Sequence, residues 1–209
     1  MSLLQDLQWR YATKKMNGTS VSDEQLDAVL EATRFAASSY GLQPYTIVVV
    51  DNQEIKDKLM AAAYGQAQVG SSSHLLVFAV PLQITEADIQ AFVDNIAATR
   101  HLPAAAMDGY KAMMVNTVGK LPAEQQQVWS AKQAYIALGT ALAAAANNRI
   151  DACPMEGFDA AQFDEILGLA ELKLKSVVIM ALGFRADGDA APHFPKVRKP
   201  KEELFHFVN

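Results

Sequence analysis

Ser38-Ser39-Tyr40-Gly41-Leu42-Gln43-Pro44, followed by Tyr45-Thr46-Ile47-Val48-Val49-Val50, decides the fold class. Gly41 and Pro44 break regular structure, so residues 38–44 read as a loop. The residues after them are rich in β-branched side chains and show no polar alternation. That reads as a strand over 45–50, buried on both faces. Upstream, Ser22-Asp23-Glu24-Gln25 is a capping box. It opens a helix with Leu26, Val29, Leu30 and Thr33 on one face, expected to stop near Ser38. Downstream, residues 54–63 read as a helix and 75–80 as a second buried strand.

Further out, Leu3, Leu4 and Leu7 mark a first amphipathic helix ending near Arg10. Thr85 is an N-cap for a helix to Arg100, with Ile89, Phe92, Val93 and Ile96 inside. Leu102-Pro103 interrupts it, and a Met-rich helix follows over 107–118. Pro122 suits the first turn of the longest helix, which runs to about Asn147 and carries Val128, Tyr135, Leu138 and Leu142. Its alanines lie on nearly all sides, so it is expected to pack closely against other helices or a second subunit. Residues 159–167 read as a short helix, 176–182 as a third strand and 204–208 as a final edge strand. The tail over 187–209 holds little core-forming material, so it is expected to wrap over its own body or a partner. With no repeat, linker or composition break, the chain reads as one α+β domain over 1–209.

The formal net charge of −5 argues against general nucleic-acid or membrane-surface binding. Cys153 is the single cysteine, which excludes an intramolecular disulfide and fits a reducing compartment. The N-terminus lacks the basic region of a signal peptide, and residues 134–146 are too short to span a bilayer. The expectation is a soluble cytoplasmic protein. Against the acidic background stand two basic clusters, Arg10-Tyr11-Ala12-Thr13-Lys14-Lys15 and Lys196-Val197-Arg198-Lys199-Pro200-Lys201, holding seven of the eighteen Lys and Arg residues. They read either as ordinary exposed chain ends or as one anion site needing both ends, with phosphate as its natural guest.

Other chemistries are missing. No glycine-rich dinucleotide fingerprint, Walker loop or Gly-x-Ser-x-Gly elbow is present. His74, His101, His193 and His206 are scattered without ligand spacing, so no metal site is expected. The acidic residues suggest no paired-carboxylate site. Ile150-Asp151-Ala152-Cys153-Pro154 reads as an apolar turn, with Cys153 a buried small residue rather than a nucleophile.

Four segments, in order, resemble the FMN-dependent nitroreductase family: Arg10-Tyr11-Ala12-Thr13-Lys14, Ser38 to Tyr45, Pro154-Met155-Glu156-Gly157-Phe158, and Phe194-Pro195-Lys196-Val197-Arg198. A weaker fifth is Gly65-Gln66-Ala67-Gln68-Val69. The resemblance implies a central, mostly antiparallel sheet flanked by helices, in an intertwined homodimer with FMN sites at the subunit interface. It implies that Arg10, Lys196 and Arg198 hold the FMN phosphate, with Tyr11 and Ala12 beside it. Lys14 is placed near the flavin pyrimidine, where an ammonium stabilises the negative charge of the reduced ring. Gln66 and Gln68 would donate to the flavin carbonyls, the alternative being a polar loop.

Pro154 and Met155 lead to Glu156 and Gly157, whose amides would lie near flavin N5; Lys14, Glu156 and Gly157 are thus the catalytic candidates. Ser38, Ser39 and Gly41 would approach from the other subunit, and Tyr40, Tyr110 and Met113 would line the substrate pocket. Residues 100–120 match the family's variable substrate cover. Two departures stand out: Gly41 where Asn is common, and Tyr11 where His, Arg or Ser is. The implied activity is an FMN-dependent oxidoreductase taking hydride from NADH or NADPH in a ping-pong cycle. Its acceptors would be small molecules such as nitroaromatics or quinones. Rivals are dehalogenation, flavin breakdown, a flavin carrier or sensor, and a cofactor-free interaction protein.

Overall fold

The computed structural model describes residues 2–189 and 191–208; positions 190 and 209 of the expected tail lie outside them. Four strands, Thr46–Val50 (β1), His74–Pro81 (β2), Asp151–Met155 (β3) and Leu174–Gly183 (β4), form one antiparallel sheet in the order β1-β2-β4-β3. The helices are Leu3–Trp9 (α1), Asp23–Arg34 (α2), Gln53–Ala62 (α3), Ala67–Gly70 (α4), Glu86–Arg100 (α5), Asp108–Asn116 (α6), Ala123–Asn147 (α7), Ala160–Ile166 (α8) and Lys201–Leu204 (α9).

Period-two alternation along β2 and β4 divides the core. Leu76, Phe78, Val80, Val178, Met180 and Leu182 face Val29 of α2 and Ala134, Ala137 and Ala141 of α7. Leu75, Val77, Ile179 and Ala181 face the other way, onto Leu59 of α3 and Phe163 of α8. Both faces are covered, so the two central strands read as unbroken apolar runs. The expected caps form: the Ser22–Gln25 capping box opens α2, and Thr85 caps α5, with Asp88 closing a box there as well.

Several expectations are corrected. β1 is an edge strand with Thr46 and Val49 exposed, so its unbroken run is not doubly buried. Asp151–Met155 is a strand, not a turn; it lies at the sheet edge, where a proline such as Pro154 is tolerated. Residues 204–208 form no strand within the chain, since Leu204 closes α9. α2 stops at Arg34, four residues before Ser38. Leu3, Leu4 and Leu7 are exposed, and α1 buries Asp6 instead. On α7, Leu138 is buried but Val128 and Tyr135 face outward.

Candidate functional site

The N-terminal segment after α1 runs along the outer edge of β3. Ala12 bridges Ala152 in parallel, and Met16 bridges Arg185. The Asn17 amide donates to the Phe184 carbonyl, and the Ala186 amide to Lys15, both at 2.9 Å. Beneath this strap lies an ion pair whose carboxylate is buried. Asp151, 3% exposed, accepts from the Arg185 guanidinium at 2.6 Å. It also accepts from the Arg185 amide at 2.8 Å and from Thr13 Oγ1 at 3.3 Å. The Arg185 guanidinium stacks on Trp9 at 4.5 Å and on Tyr11 at 4.7 Å. Tyr11 donates its hydroxyl to Asp189 at 3.0 Å.

Pinned at Ala12 and Thr13, the strap turns Lys14 outward onto β3. Its Nζ lies 3.6 Å from Cys153 Sγ. Gln68, buried on α4, directs Nε2 to Gln66 Oε1 at 3.2 Å and to the same sulfur at 3.9 Å. Gln66 in turn donates to the Gly157 carbonyl at 2.7 Å. A Cβ on Gly157 would meet the Gln66 amide nitrogen at 3.4 Å, tighter than most such contacts. Glu156 accepts the Tyr135 hydroxyl at 2.6 Å. Pro154 and Met155 complete the strand that joins these groups. Burial raises the Cys153 thiol above its ordinary range, against the pull of Lys14, Gln68 and Arg10, so it stays protonated at neutral pH.

Beside this group the two chain ends come near enough for their charges to act on one another. Lys196, exposed on the tail, is shifted downward by partial desolvation and then by the charges of Arg10, Arg198 and Arg185. Arg10 is shifted the same way by burial and by Arg198. Arg10 Nε is buried with no hydrogen-bond partner. Like charges gathered near an unsatisfied donor suit an anion, which makes this the candidate anion site.

Ser38, Ser39, Tyr40 and Gly41 form a separate group that shares no hydrogen bond with the first among the described residues. Ser38 Oγ accepts from the Gln43 amide at 2.9 Å, and the Ser39 amide donates to Gln133 on α7 at 2.8 Å. Tyr40 and Gly41 both have positive φ, 61° and 77°, so the loop needs a residue tolerant of that region at 41. Tyr40 is held rather than free: its carbonyl accepts from the Tyr110 hydroxyl at 2.9 Å and its ring packs near Trp129. A cavity of about 540 Å³ lies here, lined by Tyr40, Gly41, Phe92, Ile96, Arg100, Met107 and Tyr110. Met113 is exposed on α6, while Met114 is fully buried in a small core. Asp151, Arg185 and Tyr135 join the site without a sequence signal: Arg185 lies outside both basic clusters, and Tyr135 falls within a long helix.

The fold is α+β, and the convergence of Arg10, Lys196 and Arg198 beside it is its candidate anion site. The Nitroreductase family model matches residues 7–184, and the chain belongs to that family. It is 32% identical to the Bacillus subtilis protein named "Putative NAD(P)H nitroreductase YfkO", over 99% of this chain and 97% of that one. It is 30% identical to the major NAD(P)H-flavin oxidoreductase of Aliivibrio fischeri, over 97% of this chain and 96% of that one. In fold it matches an Exiguobacterium sibiricum structure, described as a putative nitroreductase in complex with FMN. That match has a TM-score of 0.85 and 19% identity, over 100% of this chain and 98% of that one. Among the described residues no cluster suits a metal ion, and no helix is long and apolar enough to cross a membrane.

Proposed function

We infer that this chain is an FMN-dependent NAD(P)H oxidoreductase that reduces nitroaromatic, quinone or similar small-molecule acceptors. The observation that carries the reading is the cradle of Arg10, Lys196 and Arg198 around the orphaned Arg10 Nε, next to the Lys14, Gln66 and Gln68 donors. A phosphate supplies the missing acceptor, and a polar ring edge suits the donors. The names of the relatives, an NAD(P)H nitroreductase and an NAD(P)H-flavin oxidoreductase, favour the same cofactor and donor.

When bound, FMN would supply the redox chemistry, a two-electron transfer from NADH or NADPH to the acceptor. The protein binds, orients and tunes. Arg10, Lys196 and Arg198 hold the phosphate; Tyr11 and Ala12 shape the strap beside it. Lys14 stabilises negative charge at the pyrimidine edge, and Gln66 and Gln68 donate to carbonyls without adding charge. Glu156 and Gly157 present the backbone turn that faces the reacting edge. Ser38, Ser39 and Gly41 act from a second copy of the chain, whose Tyr40, Tyr110 and Met113 cover the substrate.

The homodimer is supported by apolar side chains left outward: Leu3, Leu4, Leu7, Val128 and Ile136 on the helices, and Phe205, Phe207 and Val208 on the tail. The single cysteine fits a cytoplasmic protein.

The test is a visible spectrum of the purified protein before and after anaerobic NADH or NADPH. A flavin spectrum that bleaches supports the reading, and one that does not bleach favours a carrier. A protein that takes up no FMN refutes it. Arg198→Ala is expected to weaken FMN binding about tenfold, the low end for a charged hydrogen bond at an exposed residue.

A further inference from the structure

We propose that Cys153 is a positioning residue: its thiol holds the Lys14 ammonium and the Gln68 amide on a weak acceptor, from which the flavin ring takes them over. The proposal rests on the flavin reading above.

Cys153 is fully buried and contributes to the core face shared with Val69, Leu75 and Ala181. A core role alone would ask only for a small apolar side chain. Yet its sulfur is where donors from separate segments converge, Lys14 at 3.6 Å and Gln68 at 3.9 Å. Each donor is otherwise directed. The strap carrying Lys14 is fixed by the Ala12 bridge and by Thr13 on Asp151. The Gln68 amide is 3% exposed and already gives one hydrogen to Gln66, leaving its second for the sulfur or a ligand.

Sulfur is a weak acceptor, and both contacts are long. The donors are therefore aimed at little enthalpic cost to release. A thiolate would bind the ammonium as an ion pair, but burial keeps the group neutral. A hydroxyl would accept the same hydrogens more strongly and compete with the ligand. Ordering donors without satisfying them fully is preorganisation, which raises affinity by lowering the cost of binding.

Cys153→Thr and Cys153→Val test this, because they share one shape, suit a strand and differ by a hydroxyl. The apo proteins are titrated with FMN, and the midpoint potential of the bound FMN is measured. The threonine variant is expected to bind FMN about three- to tenfold more weakly than the valine variant, the scale of one ordinary hydrogen bond. Its bound flavin is expected to have the lower potential, because Lys14 is drawn from the ring. In a Lys14→Met background that difference in potential shrinks toward zero.

A ligand-free readout stands beside these. Without FMN, the threonine variant matches or exceeds the valine variant in urea midpoint, since its hydroxyl meets waiting donors. Equal FMN affinity and potential in the two variants would overturn the proposal. So would a threonine variant clearly less stable without ligand, or full additivity with Lys14→Met. A wild-type protein without FMN uptake would sink the flavin reading itself, whereas a loaded wild type with indifferent variants would sink only the role of Cys153.

Discussion

Replacing Arg185 by Met is expected to cost more stability than replacing Asp151 by Asn, although the two are partners. The asymmetry follows from burial: Asp151 is 3% exposed and Arg185 29%. Without the guanidinium, the carboxylate stays inside with only the amide at position 185, at 2.8 Å, and Thr13, at 3.3 Å. Leaving a buried charge without its partner costs about 3–5 kcal/mol. The variant also loses the stacking on Trp9 and Tyr11, each contact about 0.5–1 kcal/mol. Partial access to water through the vacated volume brings the sum to about 4 kcal/mol.

In Asp151→Asn the side chain keeps its shape and one oxygen for the amide. The guanidinium turns its exposed edge to water, so the loss is about 1–2 kcal/mol. At roughly 2–4 °C per kcal/mol for a chain of this size, Arg185→Met lowers Tm by about 8–16 °C and Asp151→Asn by about 2–8 °C. The assay is thermal unfolding by far-UV circular dichroism at equal protein concentration, because association shifts Tm. Arg185→Lys is expected to recover part of the loss, restoring charge without the planar fork. Equal losses, or a larger loss in Asp151→Asn, would refute the reasoning.

Two more predictions concern α7. Partial desolvation, although Tyr135 lies on the outer face, and the Glu156 carboxylate push the Tyr135 hydroxyl up to about 12. The native state therefore keeps this proton while the unfolded chain loses it near 10, so the stabilisation is present below pH 10 and disappears as pH rises through about 12. Absorbance at about 295 nm, wild type minus Tyr135→Phe, is expected to show a component titrating near 12; a midpoint near 10 would contradict the pairing. Ser130 Oγ is buried without a partner. Ser130→Ala is expected to leave the urea midpoint unchanged or raise stability by up to about 1 kcal/mol, and a loss above that would reveal an unseen partner.

Local chemistry made the helices legible. Ser22 with Gln25 and Thr85 with Asp88 satisfy amide groups that every helix start leaves open, so the sequence signal and the physical need coincide. β2 and β4 were legible because two buried faces leave no room for polar alternation. The same pattern misled at β1, where Val49 is exposed and only the neighbour on one side is a strand. β3 was missed because five residues with Cys and Pro carry little strand propensity, and its place depends on long-range pairing with β4. What was legible of the candidate site is the convergence of its cations, since Arg10, Lys196 and Arg198 from both chain ends come near enough for their charges to act on one another. The ion pair of Asp151 and Arg185 was not, because its partners lie 34 positions apart and neither belongs to a motif.

The segment over the second group has a small core of its own: Ile84, Ile89, Met114 and Val118, apart from both faces of the sheet. Gln126 staples it to the start of α7, accepting from the Ile84 amide at 2.7 Å and donating to the Val118 carbonyl at 3.1 Å. Such a unit can change its outer residues without unpacking the sheet. On the proposed function, descendants of one scaffold can then diverge in what they admit while Arg10, Lys196 and Arg198 stay as they are. If that function holds, grafting residues 84–121 between relatives should change the acceptor range while leaving FMN binding intact.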